Sequence, residues 1–144
     1  MGEIIWGYFL TALCLIAWLG QLIYAVSPSL GAKLTVGEAE ADVDSVFYAD
    51  ARGEAIWDSL TIWVLPLAGI LLIMQHPHWP YVALVGGGIY LYFSGRNIST
   101  RWMMQRRNIR IGTPANIKTA YLFCALWGLS SLITIGMAIM TLIE

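Results

Sequence analysis

The chain has 144 residues, of which 58% are hydrophobic and only 12% charged, about half the charged share of roughly 25% typical of soluble domains. That composition, with a mean hydropathy of +0.68, excludes water as the main solvent. A formal net charge of −1 excludes nucleic acid as a partner, because phosphate binding requires a basic surface.

Met1-Gly2-Glu3 lacks the positive flank of a secretory signal, and no small-residue cleavage site follows, so the first apolar segment is expected to stay in the mature protein. Position 6 is Trp6, where a myristoylation signal requires serine or threonine. A helix needs about 20 mainly apolar residues to cross a bilayer, and residues 4–26 meet this without a charge, Gln21 being the one strongly polar member. Ser27-Pro28-Ser29 ends the span, since proline cannot continue a helix. Residues 27–54 form the first polar connection. Within it Thr35 and Glu38 read as a capping box opening a short helix, and Val43, Val46 and Phe47 give that segment an apolar face suited to the membrane surface.

A second span is expected over residues 55–74, kinked near Pro66. Gln75-His76-Pro77-His78 then turns the chain into a third span, residues 79–95, whose helix continues through Arg101 toward Arg107. This third crossing is the least apolar of the set. A re-entrant segment there would leave three spans and move the C-terminus to the other side. Residues 96–118 form the second connection at the same end as the first. Gly112 breaks it, Thr113 and Pro114 read as N-cap and first-turn proline, and residues 119–143 form a fourth span. The fold class is therefore all-α: a four-transmembrane-helix bundle in a single integral membrane domain, with a short amphipathic helix between spans 1 and 2.

All eight lysines and arginines fall in or beside the two connections, Lys33 and Arg52 in the first and Arg96, Arg101, Arg106, Arg107, Arg110 and Lys118 in the second. The positive-inside rule makes that side cytoplasmic and leaves both termini and the His76–His78 turn outside, in a multi-pass protein of the cell membrane. Trp6 and Trp79 suit the outer aromatic belt, and Trp57 and Trp102 the inner one. Cys14 and Cys124 lie at different depths of their spans, so a disulfide is not expected.

Asp50, Glu54 and Asp58 recur at i, i+4 and i+8, which aligns three carboxylates on one helix face, with Thr61 extending the stripe. Ionisable groups at membrane depth are costly, so Asp58 and Glu54, with Arg96 opposite, are candidate catalytic residues. The alternative is structural pairing, because residues 38–58 carry seven acids facing the arginine-rich connection. Arginine's planar fork holds carboxylate or phosphate in two contacts, which makes Arg96 and Arg101, with Gln21 and Tyr92 at similar depth, candidates for binding an anionic cosubstrate or lipid head group. As topology determinants, the same arginines would need no ligand. His76 and His78, with Met74, Met137 and Met140, form a soft-ligand set for copper that is weak by pattern, and packing is the simpler role for the methionines. No metal is assigned. Two-histidine haem within the bilayer is disfavoured, because both histidines sit in one turn. Gly86, Gly87 and Gly88 permit close helix approach, and Gly128, Ser131 and Thr134 offer a matching small-residue face.

Three functions fit this pattern. Small size, no catalytic motif and paired charges suit an accessory or interaction subunit of a membrane complex, with lipids and either its own copies or other subunits as partners. The architecture also resembles the membrane-associated eicosanoid and glutathione metabolism family in its four spans, length and arginines near the cytoplasmic end of the third helix. That resemblance implies an oligomeric enzyme with a cytoplasm-facing polar cavity for a lipophilic substrate. The family's second helix carries an Arg-Ala, Asn, Glu pattern that Arg52-Gly53-Glu54 with Asp58 does not reproduce, so no glutathione ligand is carried over. A small transporter or channel is the third option, although no charge sits at mid-bilayer as coupled antiport would require. The sequence names no cofactor.

Overall fold

The computed structural model describes residues 1–143. Among these the chain is all-helical, in the order α1 (Gly2–Val26), α2 (Pro28–Lys33), α3 (Ser45–Thr61), α4 (Val64–Ile73), α5 (Trp79–Arg106) and α6 (Pro114–Ile143). Three stretches are long and apolar enough to cross a membrane: α1, the combined α3–α4 rod over Ser45–Ile73, and α6. The protein is thus suited to a multi-pass membrane location. α5 matches them in length at 28 residues, but its four glycines, its tyrosines and Arg96 make it less apolar. It lies between α4 and α6, and α4 in turn packs on α1.

Each break has a local cause. Ser27 leaves α1 in extended conformation, and Pro28 starts α2 where a missing N–H costs nothing. Pro66 cannot donate to the carbonyl of Ile62, and its ring crowds that carbonyl, so the rod breaks at Ile62–Trp63, one turn before the proline. Gly112 adopts φ +122°, a conformation side chains resist, and Thr113 then caps α6 by accepting from the Asn116 N–H at 3.3 Å.

Two expectations for the first connection change. Thr35 caps no helix: it sits at φ 56°, in the left-handed region, and the short helices of this connection are α2, seated upstream behind Pro28, and a single 3-10 turn at Glu40–Asp42 that follows Ala39. The rod of the second span begins at Ser45, ten residues before position 55, so Phe47 lies in its first turn and faces inward. Val43 and Phe47 are buried with Ile111 in a small core, and only Val46 of that apolar set remains exposed. A single antiparallel bridge joins Val43 to Ile111, and the Asp44 N–H donates to the Arg110 carbonyl at 2.8 Å, which fastens the two connections together.

The main core joins Leu10 and Cys14 of α1 to Leu65 and Leu72 of α4 and to Tyr90 and Phe93 of α5. In an apolar medium buried donors must find partners within the protein. The Tyr90 hydroxyl donates to the Cys14 carbonyl at 2.7 Å, and the indoles of Trp18, Trp127 and Trp6 reach Ser59 O, Leu13 O and Thr134 Oγ1 at 2.9, 3.0 and 3.0 Å. Cys14 and Cys124 are free and buried. The glycine reading resolves into two contacts: Gly86 lies against the α4 backbone at Leu65, and Gly87 against Ile135 and Ser131 of α6. Outside the core the helices present apolar side chains such as Leu60, Val85, Leu129 and Ile133 to their surroundings.

Candidate functional site

The carboxylate stripe of α3 meets α5. Arg96 donates from Nη2 to Asp50 Oδ1 at 2.6 Å, and its Nη1 lies 2.8 Å from Glu54 Oε1, a Coulombic contact off the hydrogen-bonding direction. Asn97, itself buried, donates from Nδ2 to the same Glu54 oxygen at 2.7 Å and to Phe93 O at 3.2 Å. Asp50, Glu54 and Arg96 therefore form one partly buried ion-pair network that cross-links α3 and α5. Its geometry fits the structural alternative: Glu54 Oε1 is shared by Arg96 and Asn97, and Arg96 is held between two carboxylates.

Asp58 stands apart. It is 6% exposed, and its Oδ2 has no hydrogen-bond partner. Thr61 turns its hydroxyl back to Trp57 O at 3.1 Å and adds nothing to the stripe. Arg52 donates to the Tyr24 and Ala25 carbonyls, capping the C-terminal end of α1. Arg106 stacks on Trp102, and Arg110 makes a loose 3.8 Å pair with Asp44 at the surface.

The polar cavity takes only some of the expected residues. A cleft of about 390 Å³ opens between α1 and α6 at the end that carries the basic residues. The two helices touch where Trp127 reaches Leu13 O and Trp6 reaches Thr134, both on the far half of the molecule. Toward the basic end they diverge: Ile16, Ala17 and Gln21 line one wall, and Phe123 and Thr119 the other. The back is formed by Phe93, Asn97 and Arg101 of α5 with Glu54 of α3, and the segment 34–38 covers the polar end. Gln21, Glu54 and Arg101 thus meet in one cavity. Tyr92 does not join them: it is 70% exposed, because the inward face of α5 runs through Tyr90, Phe93 and Asn97 and leaves position 92 on the outside. Arg96 and Asp58 do not line the cleft either: Arg96 is occupied by Asp50 and Glu54, and Asp58 is buried apart from it.

Arg101 is the only cation lining this cleft among the described residues. Its guanidinium lies 5.0 Å from the Phe47 ring centre, and its Nε is buried without a hydrogen-bond partner. Glu38, at the covered end, accepts from Asn116 Nδ2 at 3.0 Å, and the Tyr24 hydroxyl donates to the Glu38 carbonyl at 3.0 Å. The sequence reading missed Asn97, Asn116 and Tyr24. The signal was available for Asn97, because Tyr90, Phe93, Asn97 and Arg101 recur at three- and four-residue steps, the period of one helix face.

At the opposite end His76 and His78 sit in one turn with ring centres 5.2 Å apart, and the His78 N–H donates to His76 Nδ1 at 3.3 Å. Met137 packs on the core while Met74 and Met140 are exposed, and no group of three His, Cys, Asp or Glu able to hold a metal occurs among the described residues. The chain matches no protein-family model, no curated protein and no solved structure.

Proposed function

We propose that this chain is a membrane protein of four crossings, α5 supplying the fourth, with the basic end in the cytoplasm and both termini outside. On this reading it serves as a small binding subunit that takes a lipophilic molecule from the cytoplasmic leaflet into the cleft between α1 and α6. The observation that carries the reading is the shape and lining of the cleft, apolar toward its floor and polar at the end where all the basic residues gather. Mixed linings of this kind suit a ligand with a greasy body and a polar tip. Along α6 the cleft runs from Asn116 to Trp127, about 17 Å at the α-helical rise. That is about the thickness of one leaflet of a 30 Å hydrocarbon core.

Binding fits this geometry better than catalysis. Glu54 is held by Arg96 and Asn97, and Glu38 by Asn116. A guanidinium does not exchange its proton at ordinary pH. The cleft therefore offers no free acid–base pair, and the accessory-subunit reading is favoured over an enzyme. Its partners on this reading are lipids and further membrane subunits, its own copies included.

A fatty alcohol carrying a diazirine in its chain tests this on the full protein in membranes. Photolabelling is expected to concentrate on Ile16, Phe123 and Trp127 and to fall several-fold when Ala120, which lines the α6 wall of the cleft, is changed by Ala120→Trp to narrow the mouth. Labels spread evenly over outward residues such as Tyr92 and Leu129, unaffected by Ala120→Trp, would refute it.

A further inference from the structure

We infer that the ligand of the cleft is an amphiphile with an anionic head, a carboxylate or phosphate seated on Arg101 with its chain lying toward Trp127. This rests on the binding role proposed above and specifies the ligand's chemistry.

Arg96, Arg52, Arg106 and Arg110 each meet carboxylates, carbonyls or an indole within the protein. Arg101 makes no ion pair among the described residues, yet it projects into the cleft with a buried Nε that donates to nothing. An unpartnered buried donor on a charged group is expensive, and an oxyanion is the acceptor that satisfies a guanidinium fork best. The Phe47 ring beneath it supports the cation from one face and leaves its edge toward the cavity.

The two acids in the cleft do not compete for that edge. Glu54 turns its Oε1 to Arg96 and Asn97, and Glu38 turns its Oε2 to Asn116 beside Gly112. Gln21 lines a wall of the same cleft and supplies a neutral amide to a polar head, whereas the Asn97 amide already donates to Glu54 and Phe93 O. Below this level the lining becomes Ile16, Phe93, Phe123 and Trp127, which cannot solvate a free inorganic ion but would cover an alkyl chain. Ile16 remains 55% exposed at the mouth, so the way in lies sideways between α1 and α6, from the bilayer. Anion above and chain below therefore point to one amphiphile.

The test uses full-length protein in a bulky neutral sterol-based detergent and three probes: dodecyl phosphate, dodecanol and inorganic phosphate. Native mass spectrometry and quenching of tryptophan fluorescence read the binding. Dodecyl phosphate is expected to bind at least about tenfold more tightly than dodecanol, the value of one charge-assisted contact. Arg101→Gln should remove that preference, Arg101→Lys should keep part of it, and Ala120→Trp should weaken both amphiphiles. A melting temperature for Arg101→Gln close to that of the unaltered protein will show that the loss is not one of fold. Should Arg101→Gln fail to fold, retention of head preference by Arg101→Lys above that of Ala120→Trp still decides the point. Equal binding of dodecanol and dodecyl phosphate would overturn the anionic head while leaving the lipophile site intact. Binding of inorganic phosphate as tight as that of dodecyl phosphate would overturn the amphiphile. Failure of both amphiphiles to bind, with Ala120→Trp indistinguishable from the unaltered protein, would remove the binding role itself.

Discussion

Replacing Arg96 by alanine is expected to destabilise the protein by about 2 to 3 kcal/mol, a little below the roughly 3 to 5 kcal/mol for breaking a fully buried pair. The discount reflects exposure, since 29% of the Arg96 and Asp50 side chains remains accessible. The loss arises less from the missing attraction than from what stays behind. Glu54 would be left as a largely buried carboxyl group to which only Asn97 still donates. That predicts a specific rescue: Glu54→Gln in the Arg96→Ala background should recover about 1 kcal/mol, because it removes the stranded carboxyl group and leaves an amide for Asn97. Unfolding in mixed micelles, followed for the two single variants and the double one, measures the coupling. An Arg96→Ala variant as stable as the parent would show that the network contributes nothing.

Gly86→Leu is expected to cost about 3 kcal/mol or prevent assembly, whereas Gly88→Leu should stay within about 0.5 kcal/mol of the parent. A Cβ at position 86 would lie 2.7 Å from Leu65 N and 2.8 Å from its Cα. Those are backbone atoms of α4, so no side-chain rotation relieves the clash and the two helices must separate. At position 88 nothing lies within 4 Å. Helix propensity favours leucine over glycine equally at both positions, so the contrast isolates the close approach of α5 to α4. Thermal unfolding of the two variants in one detergent is sufficient. Equal melting temperatures would contradict the packing described for these helices.

Much of this arrangement was legible because local chemistry dictates it. Pro28, Pro66, Gly112 and Thr113 act through their own backbone geometry, and each marks a break, bend or cap where the pattern indicates one, Pro66 acting one turn upstream. The i, i+4 spacing of Asp50 and Glu54 already implied a cationic partner on the arginine-rich helix, and Arg96 supplies it. What stayed hidden depends on contacts between distant residues. The start of the α3 rod at Ser45 is invisible to hydropathy, because the stretch carries Asp50, Arg52 and Glu54, which are accommodated by pairing with α5 and with the end of α1. Thr35 has the spacing of a capping box, yet it lies beside Gly37, which abuts the Tyr24 ring, and that packing imposes a turn. The cleft exists because α1 and α6 diverge from the Trp127 contact, an angle no periodicity encodes.

Orientation in the bilayer is the premise on which the cleft's ligand, leaflet and entrance all depend, and cysteine accessibility tests it most directly. After Cys14 and Cys124 are replaced by alanine, single cysteines at His78, Asn108 and Ser29 are exposed in intact cells to a membrane-impermeant maleimide. His78→Cys should label from outside, while Asn108→Cys and Ser29→Cys should label only after the membrane is opened. Labelling of Asn108→Cys from outside while Ser29→Cys stays protected would contradict the four crossings, because it puts the two basic connections on opposite sides.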